Sequence, residues 1–410
     1  MRFSSYFRHP EKNIALVFDV GSESVGGAVV RRARGDRPTT LCSYREPVPL
    51  VRNADPEQLL WQATEALKLV ARHLDRFIAT DTTFPASERR DFDEIFFVVS
   101  PPWYAGKTLF VETREKKPFT VTPPFLQGIL EREETALAES FFPPGAPGKA
   151  RDAVSLLERK IMRLRLNGYE TAVPLGKHAS HLELSLYLSA APATVVNRIV
   201  GAVRKTFNAR RIEFHSLAFV ASAMIRDLFA ESENFIFADA SGELTELSLI
   251  ERGVILETTS FPIGRNGLIR RLRKDITGSS TEAALSAFRV FARGEGNPEH
   301  SEKVRRALSE AEAEWLGLFR KTLAHFSEAA FLPRVLYILA PDPATTQIFR
   351  SFIEKSPVGQ FTVTAEPFTV VPLSAETLEQ AALYGTNTHC DPTMTLAALF
   401  LNRIHIEEGL

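Results

Sequence analysis

Two cysteines in 410 residues, Cys42 and Cys390, are too few for a disulfide framework or a thiolate zinc site. No window approaches the roughly 18 apolar residues of a membrane-spanning helix. The N-terminus has no signal-peptide pattern, which with the low cysteine count predicts a reducing, cytoplasmic location. Net charge is also lacking: 49 Lys and Arg against 50 Asp and Glu leave a formal −1, which gives no electrostatic case for nucleic acid. Seven tyrosines and three tryptophans stand beside thirty phenylalanines, a bias suited to apolar cores and peptide grooves, core packing being the simpler account. Hydrophobic residues at 44% and charged residues at 24% match an ordinary globular protein. The length predicts roughly two to four domains rather than one core. Residues 1–8 mix aromatics with arginine and are expected to be a frayed terminus rather than a membrane contact.

An apolar strand ending in Asp, followed by a small-residue turn, occurs twice. The first copy runs through Asp19 into Gly21, Ser22, Glu23 and Ser24; the second runs through Asp239 into Ser241, Gly242 and Glu243. Around the first, strands are predicted over 14–20, 25–32 and 39–48, with a turn at 34–38. An amphipathic helix over 56–78, a polar loop over 80–91 and a buried strand over 94–99 follow. Around the second, strands are predicted over 235–239, 243–250 and 254–260, with a hairpin turn at 251–253. Helices over 265–275, 281–292 and 301–331 precede a strand over 335–339 and a helix over 343–354. The recurring order predicts a duplication, two related half-domains facing each other across a cleft.

Residues 110–189 repeat neither copy. They hold a predicted helix over 123–142, a Pro/Gly breaker over 143–148 and strands over 159–166 and 181–188, the pattern of a small inserted α+β module. A helix over 192–207 and the run 212–228 return the chain to the first half.

These residues resemble the actin/sugar-kinase/Hsp70 superfamily, and within it the bacterial branch that contains FtsA and PilM. An Asp-x-Gly turn alone is common; the resemblance rests on five elements in the family's order, spanning nearly the whole chain. They are the turn after Asp19, the turn after Asp239, the module at 110–189, a first connecting helix after 214–222, and a second at 378–385 with its alanine–glycine pattern. The fold class implied is α/β, two duplicated ribonuclease-H-like half-domains around a nucleotide cleft, with a small SHS2-like insertion in the first half. The implied divisions are 1–109 for the first half-domain, 110–189 for the insertion, 190–230 for completion of the first half and the connecting helix, 231–402 for the second half-domain, and 403–410 for the tail.

In that superfamily ATP binds between the halves. The resemblance assigns it to Asp19, Gly21, Ser22, Glu23 and Ser24 on one side and to Asp239, Ser241, Gly242 and Glu243 on the other. Magnesium would be held through water by Asp19 and Asp239. Small-residue turns make suitable anion nests; the alternative is that Asp19 and Asp239 simply cap strand ends and accept turn hydrogen bonds. Two departures weigh against strong binding. The second turn has one glycine in place of a glycine run, and Glu243 would repel a phosphate unless turned away or bridged by metal. Residues 340–346 stand where the adenosine loop belongs, with two prolines and no glycine. No residue is nominated as a general base, so slow hydrolysis or none is expected, with nucleotide acting as a conformational switch.

Three other constellations carry less. His178 and His181 are close, but without a third ligand nearby they read as a surface pair. His389, Cys390 and Asp391 are adjacent, which seldom gives triad geometry. Arg270 to Lys274 reads as a solvated helix face, with an anionic partner as the alternative. The function implied by the resemblance is a cytoplasmic actin-like scaffold at the inner face of the cell membrane, linking a membrane partner to type IV pilus assembly or cell division. Residues 394–403 read as a last packing helix rather than an anchor, which tilts the expectation toward a PilM-like adaptor. Such an adaptor would receive a short peptide of a membrane protein between the module and the first half. Self-association stays open; nucleic acid and a membrane span are not expected. The rivals are a nucleotide-free pseudo-actin that keeps only its binding surface and a small-molecule kinase of the same fold.

Overall fold

In the computed structural model the first strand, Ile14–Val20 (β1), is buried at nearly every position, as its continuous apolar run requires of a strand covered on both faces. The structure describes residues 13–51, 55–81, 91–140, 153–276, 280–356, 358–362, 365–386 and 388–408. β1 pairs antiparallel with Ser24–Arg31 (β2), which pairs with Thr39–Pro47 (β3). Helix Pro56–Thr80 (α1) then crosses to Asp91–Val99 (β4), parallel to β1. Asp55 caps α1 by accepting from Gln58 N at 2.7 Å, and Pro56 loses nothing at a position whose N–H has no helical partner. The apolar stripe of α1, including Leu60, Leu67, Val70 and Leu74, packs on the sheet with no room to spare. A Cβ at Gly27 would lie 2.4 Å from Val70 Cγ1.

A separate sheet follows, built from Ala105–Thr120 (β5), Val154–Leu166 (β6), Tyr169–Glu170 (β7) and His178–Pro192 (β8) in the order β5-β8-β6-β7. Helix Pro123–Ser140 (α2) covers one face, over a core that includes Val111, Ile129, Leu164, Leu184 and Leu186. Helix Ala193–Val203 (α3) leads into Asn208–Ser216 (β9), parallel to β4, and then helix Leu217–Leu228 (α4). Glu158 of β6 ties this sheet to the β9–α4 junction: it accepts from Ser216 N (2.7 Å), Ser216 Oγ (3.0 Å) and Ser189 Oγ.

The second half comprises Asn234–Asp239 (β10), Thr245–Glu251 (β11), Val254–Phe261 (β12), helices Arg265–Asp275 (α5), Thr281–Ala292 (α6) and Pro298–Ala329 (α7), strand Val335–Leu339 (β13), helix Pro343–Lys355 (α8) and strand Thr369–Pro372 (β14). Its sheet runs β12-β11-β10-β13-β14, and the first runs β3-β2-β1-β4-β9. Strand for strand these are the same order with the same directions, so the duplication expected from the sequence is present. The chain ends with a short helix Ala375–Leu378 (α9), strand Leu383–Tyr384 (β15) added beside β3, and helix Pro392–Glu408 (α10). Between the two sheets α4 and α10 share a core with Val17, Phe96, Phe235, Phe237 and Tyr337. The outer faces are closed by α1 and α3 on one side, and by α5 to α8 around the buried Trp315 on the other.

Several expectations change. Residues 378–385 are not a connecting helix: they form the end of α9, a tight turn and β15. The close approach signalled by Gly385 is strand against strand, since a Cβ there would lie 2.5 Å from Leu41 O. The helix that packs on α4 is α10, which bears out residues 394–403 as a packing helix. β5 matches no predicted strand, because its largely charged stretch 112–117 suits the exposed edge that it forms. β6 and β8 are longer than expected, β11 starts at Thr245 after a longer turn, and α7 starts at Pro298 behind an Asn297 cap. Residues 1–8, the breaker at 143–148 and most of the 80–91 loop lie outside the described residues.

Candidate functional site

β1 and β10 deliver Asp19 and Asp239 to equivalent ends of the two sheets, and their turns meet. Gly242 N donates to Glu23 Oε2 at 2.8 Å, and Glu243 N donates to Ser22 Oγ at 2.9 Å. All four residues are buried or nearly so. A Cβ on Gly242 would fall 1.8 Å from Ser22 Oγ, so only glycine permits this contact. Gly21 N closes its own turn on Ser24 O (3.0 Å), and Trp103 Nε1 donates to Gly21 O (3.1 Å). On the other side the carbonyls of Ser241 and Gly242 accept from Arg265 N (2.8 Å) and Asn266 N (3.0 Å), capping the start of α5. Ser241 Oγ donates to Asp239. All nine residues proposed from the sequence thus converge on one place.

Residues that the sequence did not nominate hold the charge there. Arg45 of β3 lies 2.8 Å from Asp19 Oδ2, bonds Asp391 bidentately (2.6 and 3.0 Å), and donates to Ser24 Oγ at 2.9 Å. Gly26, its partner across β2 and β3, leaves the space: a Cβ there would sit 2.7 Å from Arg45 Nη2. Glu243 points away from the turn contact, accepting from Asn266 Nδ2 (2.9 Å) and pairing with both terminal nitrogens of Arg270, which also donates to Val51 O at 3.2 Å. Arg270 is therefore no part of a solvated face. Burial pushes the Asp19 carboxyl up to about 6, against the pull of Arg45. It pushes Asp239 well above the usual carboxylate range, with Glu23, Glu246 and Asp19 adding to the effect. Glu246, buried beneath Tyr104 Oη, rises to about 7. Burial would raise Asp391 also, but Arg45 outweighs it and holds that carboxyl low.

No family model matches the chain, and no curated protein does. Among solved structures, a chain of the PilM–PilN type IV pilus biogenesis complex is similar, at 17% identity over 97% of this chain and 99% of that one, with a TM-score of 0.60. Matches at lower TM-scores include MreB 5 of Spiroplasma citri bound to AMPPNP (13% identity, 98% and 100% covered, 0.47) and the ethanolamine utilization protein EutJ from Carboxydothermus hydrogenoformans (11%, 96% and 90%, 0.43). The fold is actin-like.

An actin-fold cleft can be tested for nucleotide on its donors. Here the second turn's N–H groups are already bonded to Glu23 and Ser22, and Gly21 N is bonded within its turn. Next to Asp19, where a hydrated cation would need free carboxylate oxygens, the Arg45 guanidinium is bound. As arranged, these residues do not fit ATP with magnesium. Residues 340–346 form no loop over a base: Asp342 caps α8, accepting from Thr345 N at 2.9 Å and pairing with Arg265 Nη2 at 3.2 Å, and Pro343 opens the helix. A cavity of about 530 Å³ lies beside this start, lined by Arg289, Arg293, Asp342, Ala344 and Gln347.

Elsewhere, His178 turns to Thr120 Oγ1 (3.0 Å), while His181 contacts Glu112 (2.8 Å) and faces Glu183 (3.7 Å). Cross-strand pairing of β5 and β8 therefore gives His181 the acidic neighbour Glu112 that local sequence did not reveal, while Glu183 lies two positions further along β8. Cys390 Sγ lies 3.4 Å from Thr395 Oγ1 and Asp391 belongs to Arg45, so 389–391 form no triad. Among the described residues, no helix is long and apolar enough to cross a membrane.

Proposed function

We propose that this chain is an actin-fold adaptor, cytoplasmic and peripheral to the inner face of the cell membrane, that receives a short segment of a membrane protein. The observation that carries this is a groove of about 370 Å³ where the β5–β8 sheet meets the first half. Leu156 and Leu157 of β6, Val196 of α3, Phe214 and His215 of β9, and Ile404 of α10 line it. Among the described residues β9 pairs with β4 alone, so it offers a sheet edge to an extended peptide beside apolar walls. The likeness to a chain of a PilM–PilN complex favours type IV pilus assembly over cell division as the machinery served. ATP with magnesium is the cofactor this fold implies, and it enters the cleft only if Glu23, Ser22 and Arg45 withdraw; hydrolysis is slow or absent. The buried Glu23–Gly242 contact favours a second reading, a module that works without nucleotide.

Capture from a detergent-solubilised membrane fraction tests the groove. Wild-type protein should retain one membrane protein that Leu156→Asp and Val196→Arg both lose while keeping the wild-type melting temperature. A synthetic peptide of that partner's cytoplasmic segment should bind in fluorescence anisotropy. Retention by both folded variants, or no peptide binding, would end the proposal.

A further inference from the structure

We infer that the second turn's amides form an oxyanion site whose resident ligand is the chain's own Glu23 carboxylate. Gly242 N–H points at Glu23 Oε2 over 2.8 Å, and the neighbouring Glu243 N–H is taken by Ser22 Oγ. Two successive amides converging on acceptors from another segment are what an anion nest presents to a phosphate. Here the acceptors come from 219 and 221 residues away in the same chain, and they bridge the two half-domains. Arg45 completes the substitution, since its guanidinium lies against Asp19 where a cation would neutralise the acid. A third tie runs alongside: Arg270 of the second half bonds both Glu243 and the Val51 carbonyl of the first. The cleft is thus latched by internal groups, and closure does not depend on nucleotide. Any polyphosphate has to displace Glu23 before it reaches the amides. The inference does not rest on the groove, so peptide capture and cleft binding fail independently.

Thermal unfolding with 5 mM magnesium-ATP, and separately with magnesium pyrophosphate, tests it. The wild-type melting temperature should stay put with either. Glu23→Ala should melt lower and gain a pyrophosphate-dependent rise of about 2 °C or more, the scale expected when millimolar ligand reaches a vacated site. Glu23→Gln keeps an oxygen for the Gly242 N–H, so it should stay latched and unresponsive. A wild-type rise with either ligand, or a folded Glu23→Ala that gains none, would overturn the inference. If Glu23→Ala does not fold, a responsive Glu23→Gln overturns it and an unresponsive one, with unresponsive wild type, upholds it.

Discussion

Removing Arg45 should expose how the cleft's charges are balanced. Its side chain is three-quarters buried and its guanidinium touches Asp19, Asp391 and Ser24, so Arg45→Met leaves two carboxylates facing each other with no cation. Deleting one member of a buried ion pair typically costs about 3–5 kcal/mol, mostly from the partner left charged and unpaired. Arg45 keeps some solvent contact, which places the expectation near 3 kcal/mol at pH 8. For a chain of this length that is a fall of roughly 3–7 °C in melting temperature, the spread depending on whether the halves melt together. The penalty should shrink at pH 5, because Asp19 titrates at about 6 even in the wild type and will be neutral there. The triple variant Arg45→Met, Asp19→Asn, Asp391→Asn should recover most of the loss, since apolar and neutral groups replace the whole network. Urea unfolding followed by circular dichroism at both pH values is the assay. A loss below about 1 kcal/mol at pH 8, or an equal loss at both pH values, would refute the reasoning.

Stability of the wild type should fall as pH rises from 5.5 to 9. The folded values of Asp19 (about 6), Glu246 (about 7) and His215 (about 9) are all raised above ordinary values, so each contribution is complete below the unfolded value and is lost as pH passes the folded one. Asp391 acts oppositely but only at more acid pH, and a flat or rising melting profile would contradict the assignment. Gly242→Ala should cost about 1–3 kcal/mol in urea unfolding, because its Cβ collides with Ser22 Oγ, and Ser22→Gly in the same chain should recover part of that; additive losses would disprove the contact. Glu158→Ala strips the acceptor from the buried Ser216 N–H, at about 1–3 kcal/mol, and should open the β6–β9 junction to limited proteolysis. An unchanged digestion pattern would show that Glu158 does not hold the junction.

Much of the architecture was legible because burial writes itself into composition. β1, β4, β10 and β13 each carry a continuous apolar run, and the Asp that closes the run in both β1 and β10 revealed the duplication without coordinates. The nine cleft residues were also visible, since small residues after an acid mark a turn. What could not be read was which distant charge answers each acid. Arg45 sits in a strand of mixed polarity, and its role depends on Gly26 across the ladder and on Asp391 far along the chain. The Gly26–Gly27 pair inside a buried strand was the available signal, because glycine there marks a close approach. Glu243 was expected to threaten a phosphate; Arg270 turns it aside, and no local pattern joins those two. Residues 378–385 misled because alanine and glycine serve close packing in helices and strands alike.

The link between Arg45 and Asp391 also sets an order of events in synthesis. They are 346 residues apart, and β15 and α10 complete the first sheet and its inner face from the far end of the chain. A ribosome adding about 5–20 residues per second emits Asp391 roughly 17–70 s after Arg45. For that interval Asp19 and Arg45 lack their third member, and the inner face of the first sheet lacks α10. The nascent first half therefore spends tens of seconds with apolar surface open, a window in which a chaperone, or premature contact with another chain, decides the yield of folded protein.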